Sequence, residues 1–175
     1  MIIPEILSTT TPYQGLIATI ELDTLSRGTG EPFMREVVAV PDAVAIAAVD
    51  EQGRILLIKQ YRHSMKSPVW EIPAGRMDVE GETPLETAAR ELKEEADLAA
   101  KSMQLLTVFG NSVGWCSEKT HLFLAKELSD LEAFERQNEE ADIQKAWVSL
   151  SEARAMIEDG SIADAKTIIG VLLAT

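Results

Sequence analysis

Residues 75–98 read GRMDVEGETPLETAARELKEEADL. Thr83 suits a helix N-cap, Pro84 the first helical position, and Glu86 completes a capping box. Leu85, Ala88, Ala89, Leu92 and Ala96 recur at helical spacing, which predicts a helix over 83–98 with those residues as its buried stripe. On that helix Glu91, Glu94 and Glu95 fall within roughly 100° of arc. Like charges at this spacing repel by a few tenths of a kcal/mol per pair. A solvated face is the ordinary explanation of such a run. The upstream residues point elsewhere. Pro73, Gly75 and Gly81 predict a tight loop that brings backbone carbonyls close to the first turns of the helix. Carboxylates plus a carbonyl are hard oxygen ligands, suited to Mg²⁺ or Mn²⁺ rather than zinc. Mg²⁺ typically keeps several waters and is shared with substrate phosphates, so this loop and helix predict a diphosphate site.

Strands are expected on both sides of the helix. Residues 14–25 and 34–40 read as two strands around a turn at 26–32, where Gly28, Gly30 and Pro32 interrupt the pattern. The run AVAIAAV at 43–49, the turn DEQG at 50–53 and RILLIKQYR at 54–62 read as a hairpin. Short strands follow at 69–72, 103–109, 120–125 and 143–150, then helices near 151–159 and 164–174, separated by Gly160. Strands flanking a central helix, with helices at the end, predict an α+β or layered α/β/α domain.

The chain has 175 residues, 46% of them hydrophobic and 26% charged, as in ordinary globular proteins. Its net charge is −13, and its longest basic cluster is Lys59, Arg62, His63 and Lys66, so nucleic acid is not an expected partner. An acidic protein can still take a small anion when a divalent cation sits between them. No stretch approaches the roughly 20 apolar residues of a membrane helix. The opening MIIPEILSTTTPYQG lacks the basic start and apolar run of a signal peptide. Cys116 is the one cysteine, so no internal disulfide can form, and cytoplasmic residence is the expectation. Cys116 has no histidine near it in sequence, and His63 and His121 are too separated to imply a zinc site. Trp70 and Trp115 are candidates for stacking on a base, whereas Trp147 reads as core.

Residues 75–98 resemble the Nudix box, Gly-x5-Glu-x7-Arg-Glu-U-x-Glu-Glu-x-Gly-U with U aliphatic, through Gly75, Glu82, Arg90, Glu91, Leu92, Glu94, Glu95 and Leu98. Two positions depart from it. Six residues rather than five separate Gly75 from Glu82, and Asp97 replaces the final glycine. Asp tolerates the left-handed conformation of a helix end better than most residues. The segments REVVAVPDAVAIAAVDEQGRILLIKQYRH, WEIPAG, GWCSEKTHLFLAKEL and EEADIQKAWVSLSEARAMIEDGSIADAKTIIGVLL extend the resemblance to the ADP-ribose pyrophosphatase branch.

The resemblance implies an α/β/α sandwich with a mixed sheet over residues 41–175. It implies an antiparallel β arm at 1–40 that mediates a homodimer. It implies Mg²⁺, or Mn²⁺, held by Glu91, Glu94, Glu95 and the carbonyl of Ala74, with Arg90 and Glu82 pairing loop to helix. Arg62, Ser112, Gly114 and Glu118 would contact substrate, and Glu139 would orient or deprotonate the attacking water. Glu140 and Asp142 are alternatives to Glu139. The implied reaction is hydrolysis of ADP-ribose to AMP and ribose 5-phosphate. NDP-sugars, dinucleotides and nucleoside triphosphates remain open as substrates, as does a sensor that binds a nucleotide without cleaving it. Ala39 stands where many relatives carry arginine, and Ala141 where they often carry an acid.

Overall fold

The computed structural model describes residues 1–132 and 142–174. Its chain forms two compact units, one of residues 1–42 with 110–119, the other of 43–109 with 120–175.

In the first unit, β1 (Glu5–Gln14), β2 (Thr19–Ser26) and β3 (Phe33–Ala39) form an antiparallel meander. β1 was not foreseen: EILSTTTPYQ has no apolar alternation, and all ten of its residues are exposed. The strand expected over 14–25 starts only at Thr19, because 15–18 make the turn, closed by the Gly15 N–H on the Ala18 carbonyl. The β2–β3 turn falls where expected, with Gly28 and Gly30 at φ +80° and +83°, a region that costs glycine least. Segment 110–119 is tied to the end of β3. Val38 N donates to the Trp115 carbonyl, and Ser117 N to the Val38 carbonyl.

The second unit holds two sheets and three helices. One sheet has the order β7-β4-β9-β8, made of β7 (Ala74–Arg76), β4 (Ala43–Ala48), β9 (Lys119–Asp130) and β8 (Leu98–Gly110). It is mixed, since β4 runs antiparallel to β7 and parallel to β9. The other has the order β10-β5-β6, made of β10 (Gln144–Ser149), β5 (Arg54–Arg62) and β6 (Ser67–Glu71). The helices are α1 (Pro84–Ala96), α2 (Leu150–Glu158) and α3 (Ala165–Leu173).

The hairpin expected of 43–49 and 54–62 is corrected. β4 and β5 meet only at a Val49–Ile55 bridge and then enter different sheets. A strand has two edges. Those of β4 are taken by β7 and β9, those of β5 by β10 and β6, so neither edge is left for the other. The continuous apolar runs fit this, because both faces are covered. Val44, Ile46 and Ala48 pack with Ala88, Leu92 and Ala96 of α1. Ala45 and Ala47 pack on the opposite side with Ala153 of α2 and Val171 of α3. That is the expected α/β/α sandwich.

Helix α1 is capped as its sequence predicts. Glu86 N donates to Thr83 Oγ1, and Thr83 N to Glu86 Oε2. Its buried stripe differs from the expected one. Leu85 and Ala89 are exposed, while Thr87, Glu91 and Glu95 are buried beside Ala88, Leu92 and Ala96. The helix therefore has two buried sides, an apolar one on β4 and a polar one on β7. It also ends earlier than residue 98. Asp97 takes the left-handed conformation at φ 59°, ψ 38°, and Leu98 opens β8. Lys145 Nζ, from β10, donates to Asp97 Oδ2 at 2.7 Å and to the Ala96 carbonyl at 2.9 Å. The cation meets both the helix C-terminus and the acid that replaces glycine.

This pairing predicts a coupling. Lys145→Met should destabilise the protein by about 1 kcal/mol in urea unfolding, and by clearly less in an Asp97→Gly background, where the left-handed cap needs no counter-charge.

Candidate active site

The site is built where α1 lies against β7. β7 continues the segment Ile72–Pro73 and pairs Ala74 with Ala45 and Gly75 with Val44. Ile46 N donates to the Pro73 carbonyl, fixing the approach of this strand. The fit is close at Gly75: a Cβ there would lie 2.0 Å from Glu91 Cδ and 2.1 Å from its Oε1. Only glycine leaves room for the carboxylate.

Glu95 lies one turn along. Its Oε2 accepts from Ala74 N at 2.8 Å, and its Oε1 from Gln60 Nε2 at 3.3 Å. It is 4% exposed and Glu91 8%. Burial pushes the Glu95 carboxyl up to about 7, with the neighbouring Glu91 charge adding to the rise and the Ala74 N–H working against it. These acids are not a solvated helix face. Two buried carboxylates that repel each other are what a bound cation would relieve.

Arg90 meets the rest of the charge. Its Nη1 donates to Glu91 Oε1 at 2.7 Å and to Glu94 Oε2 at 3.1 Å. Its Nε reaches both Glu82 oxygens at 3.2 Å, so the loop–helix pair implied by the resemblance is present. Burial disfavours the Arg90 charge, but Glu91, Glu82 and Glu94 outweigh it, and the guanidinium holds its proton more tightly than an ordinary arginine. Glu94 is half-buried and turned to Arg90. The six-residue interval is absorbed by a turn in which Glu82 N donates to the Val79 carbonyl and Gly81 takes φ +87°.

Among the described residues no three acids, histidines or cysteines are gathered closely enough to hold a metal unaided. The donor chemistry nevertheless fits a hard divalent ion that keeps waters and shares substrate oxygens. Glu91 and Glu95 lie against the Ala74–Gly75 backbone, and an ion that keeps its waters needs few further protein ligands.

Arg62, at the end of β5, is joined to Glu71 of β6. Its Nε meets Glu71 Oε1 at 2.6 Å and its Nη2 meets Oε2 at 2.7 Å. Ser112, Gly114 and Glu118 belong to the first unit. There the Ser112 carbonyl accepts from Trp115 N and Cys116 N, Gly114 stands in open space, and Glu118 accepts from the Asn111 side chain. Glu139, Glu140 and Ala141 lie outside the described residues, and Asp142 is exposed. Trp147 packs against the core, Trp70 is half-buried beneath the Lys59 ammonium, and Trp115 is exposed.

Sequence reasoning missed Gln60, Glu71 and Lys166. Gln60 and Glu71 are polar groups at the ends of apolar strands, 5% and 2% exposed, and Lys166 is an ammonium in a helix's first turn. Lys166 Nζ binds Glu71 Oε2 at 2.5 Å. Burial raises the Glu71 carboxyl, but Arg62 and Lys166 pull harder, so it lies below the usual carboxylate range.

Two outcomes follow from this geometry. Gly75→Ala should cost about 1–3 kcal/mol in urea unfolding, because Glu91 must leave its place. A depressed Glu71 also makes stability depend on pH. The contribution is present above the ordinary glutamate value of 4.5 and is lost as pH falls through the lower folded value. The stability gap between wild type and Glu71→Gln, measured by denaturation, should therefore be full at neutral pH and shrink as pH drops below about 4.5.

The NUDIX domain family matches residues 39–169. An ADP-ribose pyrophosphatase of Mycobacterium tuberculosis is 38% identical over 96% of this chain and 81% of its own length. An ADP-ribose pyrophosphatase of Bacillus subtilis is 35% identical over 91% and 85%. A methanol dehydrogenase activator of Bacillus methanolicus is 34% identical over the same shares. A crystal structure of an ADP compounds hydrolase superposes with a TM-score of 0.85 over 97% of this chain and 91% of that one, at 24% identity, which speaks for the fold. Members of the family generally require a divalent metal, and no helix among the described residues is long and apolar enough to cross a membrane. With its box folded as loop and helix around Gly75, Glu91 and Glu95, and relatives that match it along most of its length, the chain belongs to the NUDIX family of hydrolases.

Proposed function

We propose that this chain hydrolyses the diphosphate bond of ADP-ribose, giving AMP and ribose 5-phosphate. The observation that carries the reading is the buried Glu91–Glu95 pair packed on the Ala74–Gly75 backbone, in a chain whose relatives along almost its whole length are named ADP-ribose pyrophosphatases.

Glu91, Glu95 and the Ala74 carbonyl would hold Mg²⁺, with Glu94 joining them on release from Arg90. Bound there, the ion would neutralise diphosphate oxygens and lower the pKa of a coordinated water. The chain supplies the rest by positioning. Gly75 lets Glu91 approach the strand. The Ala74 N–H and Gln60 orient Glu95. Arg90 ties Glu82, Glu91 and Glu94 into one frame. Arg62 offers a guanidinium to the substrate phosphates, Ser112, Gly114 and Glu118 contact the ribose–phosphate portion, and Glu139 orients the attacking water.

Residues 1–40 form the arm of a homodimer and 41–175 the hydrolase domain in this reading. Ile6, Leu7, Tyr13 and Met34 stand exposed in the arm, which supports a partner there. The protein would act in the cytoplasm, without nucleic acid or membrane partners. Ala39 and Ala141 replace side chains common in ADP-ribose hydrolases, which favours as a second reading an altered substrate such as an NDP-sugar, a dinucleotide or a nucleoside triphosphate.

Incubation with ADP-ribose, ADP-glucose, diadenosine polyphosphates and dNTPs, each with Mg²⁺ or Mn²⁺, should release AMP fastest from ADP-ribose. Turnover of none would leave a nucleotide-binding sensor as the better account. Glu95→Gln should lower kcat by more than about a hundredfold with the circular dichroism spectrum unchanged, and an active variant would remove Glu95 from the metal site.

A further inference from the structure

Lys166 sits where helix electrostatics disfavour it. It lies in the first turn of α3, where unpaired backbone N–H groups already concentrate positive charge. Its neighbours account for its presence. Asp164, the N-cap, places Oδ1 3.0 Å from Lys166 Nζ and accepts on Oδ2 from the Thr167 backbone and hydroxyl. Thr167 is wholly buried, and its Oγ1 accepts from Ile72 N. The start of the helix is thus pinned to the end of the strand that carries Glu71. Lys166 Nζ then reaches Glu71 Oε2.

Glu71 holds two cations at once. Arg62 binds it through Nε and Nη2, the fork geometry that locks a guanidinium in orientation. No acceptor among the described residues engages Nη1, and the side chain is 36% exposed. Gln60, two residues earlier on the same face of β5, contacts Glu95. Arg62 therefore stands on the side of the strand that carries the acidic site. Lys166 takes a share of the Glu71 charge, so Arg62 is fixed without being wholly neutralised.

We propose that Glu71 and Lys166 are positioning residues that hold Arg62 with its Nη1 edge free for a phosphate oxygen of the substrate diphosphate. The inference rests on the proposed phosphoanhydride chemistry and adds to it two residues outside the Nudix box. Glu71→Gln should raise the KM for ADP-ribose about tenfold with kcat within about twofold, the pattern of a lost uniform binding contact. Arg62→Lys, which keeps the charge and loses the fork, should do the same, and the double variant should be no worse than either alone. Effects that multiply, or a fall in kcat at unchanged KM, would overturn the proposal.

A second measurement needs no turnover. The Arg62 Nε–H signal in ¹⁵N NMR should exchange slowly with water in the wild type and at least about tenfold faster in Lys166→Met, with Lys166→Arg restoring protection. Inorganic diphosphate should shift that signal in the wild type and not in Glu71→Gln. Unchanged exchange in Lys166→Met, or no diphosphate shift in the wild type, overturns the positioning role. Absence of ADP-ribose turnover by wild type would count against the substrate alone, since the NMR experiment decides the positioning role independently.

Discussion

The Glu91 carboxylate rests on the backbone at Gly75, at a distance no side chain could share. The other features of the site follow from that contact. To bring α1 so near to β7, the helix must present a polar side as well as its apolar one. The carboxylates on that polar side lose water, and their repulsion then has to be met by something other than solvent. Arg90 meets part of it, and the hydrogen bonds from Ala74 and Gln60 meet another part. Burial, with the Glu91 charge adding to it, still holds the Glu95 carboxyl above the usual carboxylate range. Unfavourable charge is thus gathered at one place, where a bound divalent cation would offset it.

Around this contact the fold divides its labour. The apolar side of α1 secures the helix to β4 through Ala88, Leu92 and Ala96, so the cost of the polar side is borne by a conventional core. The opposite face of the same sheet is covered by α2 and α3, whose first turn carries the Asp164–Lys166–Thr167 cluster to Glu71. Two ion-pair networks flank Glu95 in consequence, one centred on Arg90 and one on Glu71. Each contains a guanidinium held by carboxylates: Arg62 by the fork to Glu71, Arg90 by separate bonds to Glu82, Glu91 and Glu94.

The replacement of glycine by Asp97 shows how a departure from a family pattern is accommodated. The left-handed conformation is kept, the side chain is turned to Lys145, and the helix end gains a cation at its negative pole. The Asp97 carboxylate thereby adds an ion pair to the bond Lys145 already makes to the Ala96 carbonyl, a contribution that a glycine at this position could not make.

Local signals read correctly from the sequence were those whose physics is local. The capping box of Thr83 and Glu86, the glycines of the β2–β3 turn and the spacing of the Nudix box depend on residues a few positions apart. So the helix, the mixed α/β architecture and the acidic cluster were legible from the sequence. Strand partnership was not. The hairpin expected of β4 and β5 failed because two apolar runs joined by a turn look alike whether they pair with each other or with distant strands, and only the long-range competition of β7, β9, β10 and β6 for their edges decides. β1 was illegible because a strand with no buried face has no alternation to read. The same holds within the site: that Glu91 and Glu95 are acidic is written in the chain, whereas their burial against Gly75, and the meeting of Lys166 with Glu71 across 95 positions, are decided by tertiary packing, since desolvation belongs to the assembled surface and not to any residue alone.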